Sequence, residues 1–170
     1  MTQRLLISDA NILIDMEEGS ITRQMFQLDA VFAVPDLLYE EELREEHSHL
    51  PELGLRTLEL TGETIAYAEA LISRHARTGA STNDLLALAL ARQEKTTLLT
   101  GDDKLRRVAE LERVACHGTL WLVEQLVTVR LLTITDAKTA YARMKAAGRR
   151  LPWDEAKQRL NALAGKSANR

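Results

Sequence analysis

The chain has 170 residues, 45% of them hydrophobic, and its formal net charge at pH 7 is −3. This length predicts one domain with a core large enough to need no disulfide or structural metal. The one cysteine, Cys116, cannot form an internal disulfide, and no apolar run approaches the roughly 20 residues of a membrane-spanning helix. We therefore expect a cytoplasmic protein with no membrane partner.

Charge is divided unevenly along the chain. Residues 138–170 contain nine basic and two acidic residues, a balance of about +7, whereas residues 1–137 balance at about −10. A basic segment beside an acidic body suits a site for a phosphate-bearing polymer, and a solvated helix surface explains the same charges. We predict a basic helical extension over residues 129–170, packed on a domain formed by residues 1–128.

Short apolar runs alternate with longer helical patterns. The predicted strands cover residues 4–8, 30–34, 55–60, 97–100 and 114–117. The predicted helices cover residues 12–16, 21–28, 36–43, 61–77, 84–91, 104–111, 120–129, 136–147 and 153–163, with a loop at 51–54. Thr119, Thr135 and Pro152 are placed to start the last three helices. Such alternation predicts a layered α/β domain with a parallel sheet.

Acidic residues recur where predicted strands end or helices begin. The set comprises Asp9, one of Glu40 and Glu41, Asp84 and Asp102. Right-handed crossovers bring the carboxyl ends of parallel strands to one edge of the sheet, so these acids are expected to converge. Converging carboxylates raise one another's pKa unless a cation holds them, and oxygen-only ligands favour Mg²⁺ or Mn²⁺ over zinc.

The same segments resemble, in order and spacing, the successive motifs of PIN-domain ribonucleases over about residues 4–125. They are Ile7-Ser8-Asp9-Ala10-Asn11, the acidic helix 34–43, Asn83-Asp84-Leu85 and Leu99-Thr100-Gly101-Asp102. Residues 118–122 and 144–151 and the last helix are similar to the extension of one PIN branch, which often contains toxins of toxin-antitoxin pairs. The resemblance implies a three-layer α/β/α fold and, by analogy, an antitoxin partner and a homodimer.

This resemblance also implies metal-dependent hydrolysis of RNA. Asp9, Glu41, Asp84 and Asp102 would hold one or two Mg²⁺ or Mn²⁺ ions, with Asn11 and Thr100 as supporting polar neighbours. The metal would polarise a phosphate oxygen and activate a water for in-line attack. The glutamate triplet 40–42 leaves the second ligand open, with Glu41 preferred for its spacing and Glu40 second.

Other interpretations account for parts of the pattern. Any one of these acids alone is more often a helix cap or a solvated charge, and Asp84 in particular suits a helix amino terminus. Asp15 is expected to be an exposed helix charge. A phosphatase of the haloacid dehalogenase type would carry a second acid two residues after Asp9, where this chain has Asn11. A catalytically silent PIN-like module that binds RNA or protein is the remaining alternative.

Overall fold

The predicted strands form one parallel sheet in the computed structural model, which describes residues 3–169. The strands are β1 (Arg4–Ser8), β2 (Ala30–Pro35), β3 (Arg56–Leu58), β4 (Thr97–Leu99) and β5 (Cys116–His117). They pair in the order β3-β2-β1-β4-β5, and every pairing is parallel. Ile7 at the centre lies opposite Ala33 on one neighbour and Leu98 on the other.

Helices flank this sheet and give the three-layer α/β/α arrangement that was predicted. They are α1 (Ala10–Glu18), α2 (Thr22–Phe26), α3 (Asp36–Leu38), α4 (Leu50–Leu53), α5 (Gly62–Arg74), α6 (Thr82–Gln93), α7 (Asp103–Leu111), α8 (Thr119–Thr128), α9 (Ile134–Ala146) and α10 (Trp153–Ala168). A π-helical segment (Tyr39–Leu43) continues α3. Within residues 3–169, no helix combines the length and the apolar character needed to cross a membrane.

The core lies around β1 and α6. Residues 85–91 of α6 are all buried, so this helix packs with its whole circumference covered, as its alanine and leucine run predicts. On the central strand, Leu6 and Ile7 are also buried. Because β1 and α6 are closely packed in the core, the acids at their ends have defined positions.

Polar side chains set the helix starts. Asp9 caps α1, Ser81 caps α6 and Asp102 caps α7, each accepting a hydrogen bond from a backbone N–H of the first turn. The start predicted at Thr135 is wrong. Thr133 caps α9 instead, because Asp136 three residues later completes a reciprocal capping box with it.

Two local features depart from the sequence prediction. Residues 51–54 were predicted as a loop, but Leu50–Leu53 forms a helical turn with a proline near its start, where a missing N–H costs nothing. Downstream of α3, the Arg44 N–H donates to the Tyr39 carbonyl at 2.8 Å, a bond that spans five residues and defines the π turn. One extra residue is therefore accommodated within the glutamate triplet.

The basic extension packs against the amino-terminal helix. A Cβ at Gly19, which ends α1, would lie only 2.6 Å from the terminal methyl of Met144 on α9, so a larger residue there would require Met144 to move. The buried residues Ala140 and Tyr141 share that helix with Met144. The division of the chain at residues 128 and 129 stays a prediction.

Candidate active site

The strand order reverses beside β1. The chain builds the sheet from β1 through β2 to β3, then returns to add β4 and β5 on the other side. Where strands lead away in opposite directions, their carboxyl ends leave a crevice that α/β proteins use for ligands. Asp9 directly follows β1, and Thr100 and Asp102 follow β4. The topology thus puts all three residues at this crevice.

Asp9 is fully buried and held only by neutral donors. Its Oδ1 accepts from the Ile12 N–H at 3.0 Å, and its Oδ2 accepts from the Thr100 hydroxyl at 2.6 Å. Burial raises the pKa of Asp9 from 3.8 to about 7; the bonds from Thr100 and Ile12 oppose that rise, and the charges of Asp84 and Asp15 add to it. Within residues 3–169, no cationic side chain pairs with Asp9.

Asp84 is both a capping residue and a neighbour of the other acids. Its backbone N–H donates to the Ser81 hydroxyl at 3.1 Å, and its Oδ2 accepts from the Ser81 N–H at 3.4 Å. Burial raises the pKa of Asp84, the two bonds from Ser81 lower it, and the charge of Asp102 raises it again. The cap interpretation is correct for the local structure, and the same carboxylate still interacts with Asp9 and Asp102.

Thr100 connects the two strand-end acids. Besides donating to Asp9, its hydroxyl oxygen accepts from the Asp102 N–H at 3.1 Å, while Asp102 Oδ1 accepts from the Lys104 N–H at 2.9 Å. Thr100 is itself buried. Thr100 therefore lies between Asp9 and Asp102, and Asp103 is exposed.

The π turn gives the three glutamates different surroundings. Glu40 pairs with Arg44 on the exposed side at 2.5 Å. Glu41 Oε2 accepts from the Asn83 side-chain amide at 2.9 Å, next to Asp84. Partial burial and the charge of Asp84 raise the pKa of Glu42, a hydrogen bond from Asn83 lowers it, and Glu41 raises it further. Both Glu41 and Glu42 thus lie towards the aspartates, whereas Glu40 is engaged elsewhere.

Asp15 was expected to be exposed, and that prediction is wrong. It is 5% exposed, and its two carboxylate oxygens accept from Arg149 Nε at 2.6 Å and from the Thr119 hydroxyl at 2.7 Å. Arg149 Nη2 also donates to Asn11 Oδ1 at 3.0 Å. A residue of the basic extension therefore holds Asn11 at the start of α1. The run of basic residues after Gly148 was the only sequence signal for it.

The fit to a metal ion rests on donor chemistry. Within the described residues, no three His, Cys, Asp or Glu side chains form a group that could hold a metal ion. The acids that do interact are oxygen donors only, and Asp9 and Asp84 have pKa values raised by burial and by neighbouring acids. A hard divalent cation would relieve both effects, so the donor set fits Mg²⁺ or Mn²⁺.

A family model described as a PIN domain matches residues 5–165. The chain belongs to the PIN-domain family. PIN domains are generally nucleases that bind nucleic acids and usually use divalent metal ions. The match runs through α9 and most of α10, so it covers the basic extension as well as the sheet. No curated protein matches the chain.

Proposed function

We propose that this PIN-domain protein is a metal-dependent ribonuclease that hydrolyses phosphodiester bonds in RNA. The observation that carries the proposal is Asp9, a carboxylate buried at the switch point of the sheet with neutral donors only and a pKa raised to about 7. A protein gains no stability from such a group, because burying a charge without a partner is costly. A functional role explains why it is there.

The roles follow from the surroundings of each side chain. Asp9, Asp84 and Asp102, with Glu41 or Glu42 from the π turn, would hold Mg²⁺ or Mn²⁺. Bound there, the ion supplies a Lewis acid for the phosphate and lowers the pKa of a water. Thr100 holds one Asp9 oxygen, leaving the orientation of the carboxylate fixed by two hydrogen bonds. Asn11, held by Arg149, is the polar neighbour of the site.

The test compares RNA cleavage by the wild type and Asp9→Asn in the presence of Mn²⁺. We expect the variant to lose at least about 100-fold in rate, since charge stabilisation in a water-excluded site is typically worth that much. Asp29→Asn is the matched control, because Asp29 is exposed and lies at the opposite end of the strands. Equal cleavage by the wild type and Asp9→Asn would indicate a contaminating nuclease and overturn the proposal.

The toxin role extends the same proposal. It rests on the similarity of residues 118–122 and 144–151 to the toxin-containing branch, and it includes an antitoxin protein as partner and a homodimer. Induced expression should arrest growth for the wild type and not for Asp9→Asn. A short neighbouring reading frame whose product binds the protein and relieves that arrest would support the role. If induced expression of an active enzyme left growth unchanged, the toxin role would be rejected.

A further inference from the structure

A cavity of about 580 Å³ opens next to the acidic site, and the acids do not account for it. It starts at Gly101, between Thr100 and Asp102, and extends to β5 and the starts of α8 and α10. Its volume lies within the ~300–1,000 Å³ range of small-ligand sites, so one unit of a polymer can enter it. Gly101, which lines the cavity, is the chain neighbour of both Thr100 and Asp102, so the cavity lies close to the carboxylates.

The cavity wall is rich in guanidinium groups. Arg106, Arg150 and Arg159 all line it. Arg159 is neutralised by Glu124 and Glu155, but within residues 3–169 neither Arg106 nor Arg150 forms an ion pair. Two carboxylates also line the wall; Glu155 belongs to the Arg159 pair, and Asp103 is exposed. The two free cations therefore outnumber the one free acid.

Arg106 is exposed, and one nitrogen of its guanidinium is bonded to the backbone. Its Nη2 donates to the Thr100 carbonyl at 3.2 Å, directly behind the residue that holds Asp9. Gly118 makes this possible: a Cβ there would lie 3.1 Å from that same nitrogen and 3.4 Å from the Thr100 carbonyl. A side chain at this position would require the guanidinium to shift by a few tenths of an ångström, so the glycine favours the observed contact between Arg106 and Thr100.

Two stacked aromatic rings form another part of the cavity wall. The rings of His117 and Trp121 stack with centroids 4.2 Å apart and planes 6° from parallel. Burial lowers the pKa of His117, and the charges of Arg4, Arg106 and Arg159 lower it further, so positive potential reaches this wall. Arg150 directly follows Arg149, whose bond to the buried Asp15 anchors the chain there.

We infer that this cavity is a subsite for the sugar-phosphate backbone of the RNA strand beside the scissile bond, with Arg106 and Arg150 binding its phosphates. The inference rests on the proposed function. Guanidinium groups bind phosphate through paired N–H donors, and phosphate contacts position a strand without reading its sequence. The subsite would thus place the strand in register with the acids for any sequence.

The experiment measures binding without cleavage. A fluorescein-labelled single-stranded RNA of about 12 nucleotides is titrated with Asp9→Asn protein in EDTA, at several KCl concentrations, and followed by anisotropy. In this background Arg106→Gln and Arg150→Gln should each weaken binding roughly fivefold. Each should also make the negative slope of the logarithm of the association constant against log [KCl] shallower by roughly 0.7, as expected for one lost phosphate contact on a single strand. Gly118→Ala, which keeps every charge, should weaken binding about twofold to threefold by displacing Arg106.

Arg107→Gln is the matched control, since Arg107 is exposed on the same helix and makes the same change in charge. If Arg106→Gln and Arg150→Gln shift binding no more than Arg107→Gln does, or if the parent binds no RNA, the subsite is rejected. Arg150 is exposed, so its variant tests the idea without a folding defect. Cleavage by the wild type is scored separately: specific loss of binding without any cleavage would keep the subsite and reject the ribonuclease.

Discussion

Asp9 and Asp15 are two buried carboxylates at the two ends of the same short stretch of chain, and they are stabilised in opposite ways. Asp15 has an arginine and a threonine hydroxyl on its two oxygens. Asp9 has a backbone N–H and a threonine hydroxyl, and within residues 3–169 it has no cation. The charge of Asp15 is balanced within the protein, whereas under the proposed function a bound cation balances the charge of Asp9. Both acids are hidden from solvent, and they differ in the charge of their partners.

Removing the cation from Asp15 should have the largest effect on stability. Arg149→Met leaves a carboxylate that is 7% exposed without its charge partner, and breaking a buried pair typically costs about 3–5 kcal/mol. Urea unfolding at pH 7 measures the loss. Arg150→Met, one residue away and exposed, should change the free energy of unfolding by less than about 0.5 kcal/mol. Equal stability of the two variants would mean that Asp15 does not need its arginine.

Supplying a cation to Asp9 should have the next largest effect. Mn²⁺ at one hundred times its dissociation constant should stabilise the wild type by about 2.7 kcal/mol, because it binds the folded state. The melting temperature in Mn²⁺ and in EDTA gives the shift. The Asp9→Asn protein should show little of it, and a full shift in that variant would move the metal site away from Asp9.

The pH dependence of stability should distinguish the two acids as well. The pKa of Asp9 is raised from 3.8 to about 7 in the folded state, so the unfolded chain loses its proton first and stability falls as pH rises through that interval. Without metal, Asp9→Asn should be the more stable protein at pH 8, by about 2 kcal/mol after allowing for one weakened hydrogen bond.

Thermal melts in EDTA at pH 4 and pH 8 test this sign. Near pH 4 the wild type and Asp9→Asn should melt at nearly the same temperature, since Asp9 is then protonated in the folded state. A difference that is the same at both pH values would show that the aspartate does not titrate in this interval.

Thr100→Val, which changes the surroundings of Asp9 and leaves those of Asp15 intact, should have a smaller effect on stability than the changes above. The change removes the hydroxyl that donates to Asp9 at 2.6 Å and accepts from the Asp102 N–H, at a cost of about 1–2 kcal/mol. Because that hydroxyl favours the charged carboxylate, its loss should move the pH midpoint of Mn²⁺ binding upward. Thr119→Val at Asp15 should leave the midpoint unchanged, and a shift there instead would contradict the assignment.

Substitutions in the glutamate triplet should have the smallest effects, and their effects on Mn²⁺ affinity should differ in a defined order. Glu42→Gln should weaken Mn²⁺ binding about tenfold and Glu41→Gln less, since partial burial and then the charge of Asp84 raise the pKa of Glu42, while Glu41 accepts a hydrogen bond from Asn83. Glu40→Gln, on the exposed side with Arg44, should stay within about twofold. Isothermal titration compares the three, and a dominant loss in Glu40→Gln would reverse the orientation of the turn.

Local signals explain what the sequence predicted. The parallel sheet, the fully buried α6 and the strand-end acids were predictable because apolar runs, capping residues and turn residues act over a few positions. The π turn was not, because three consecutive glutamates look alike until the backbone shifts one of them. Asp15 was mistaken for a surface charge because its partner lies 134 residues away. No periodicity reveals a contact of that separation.

That separation has a consequence for synthesis. Domains fold from the amino terminus as the chain emerges, and α1, with Asp9 as its cap and Asp15 within it, precedes the other described helices. Until residue 149 has left the ribosome, Asp15 has no arginine to accompany it into the core, and Asn11 lacks the donor that holds it. We expect a nascent chain ending at residue 148 to keep α1 loosely docked. The closing of the site would then wait for a residue that is made 134 positions after Asp15.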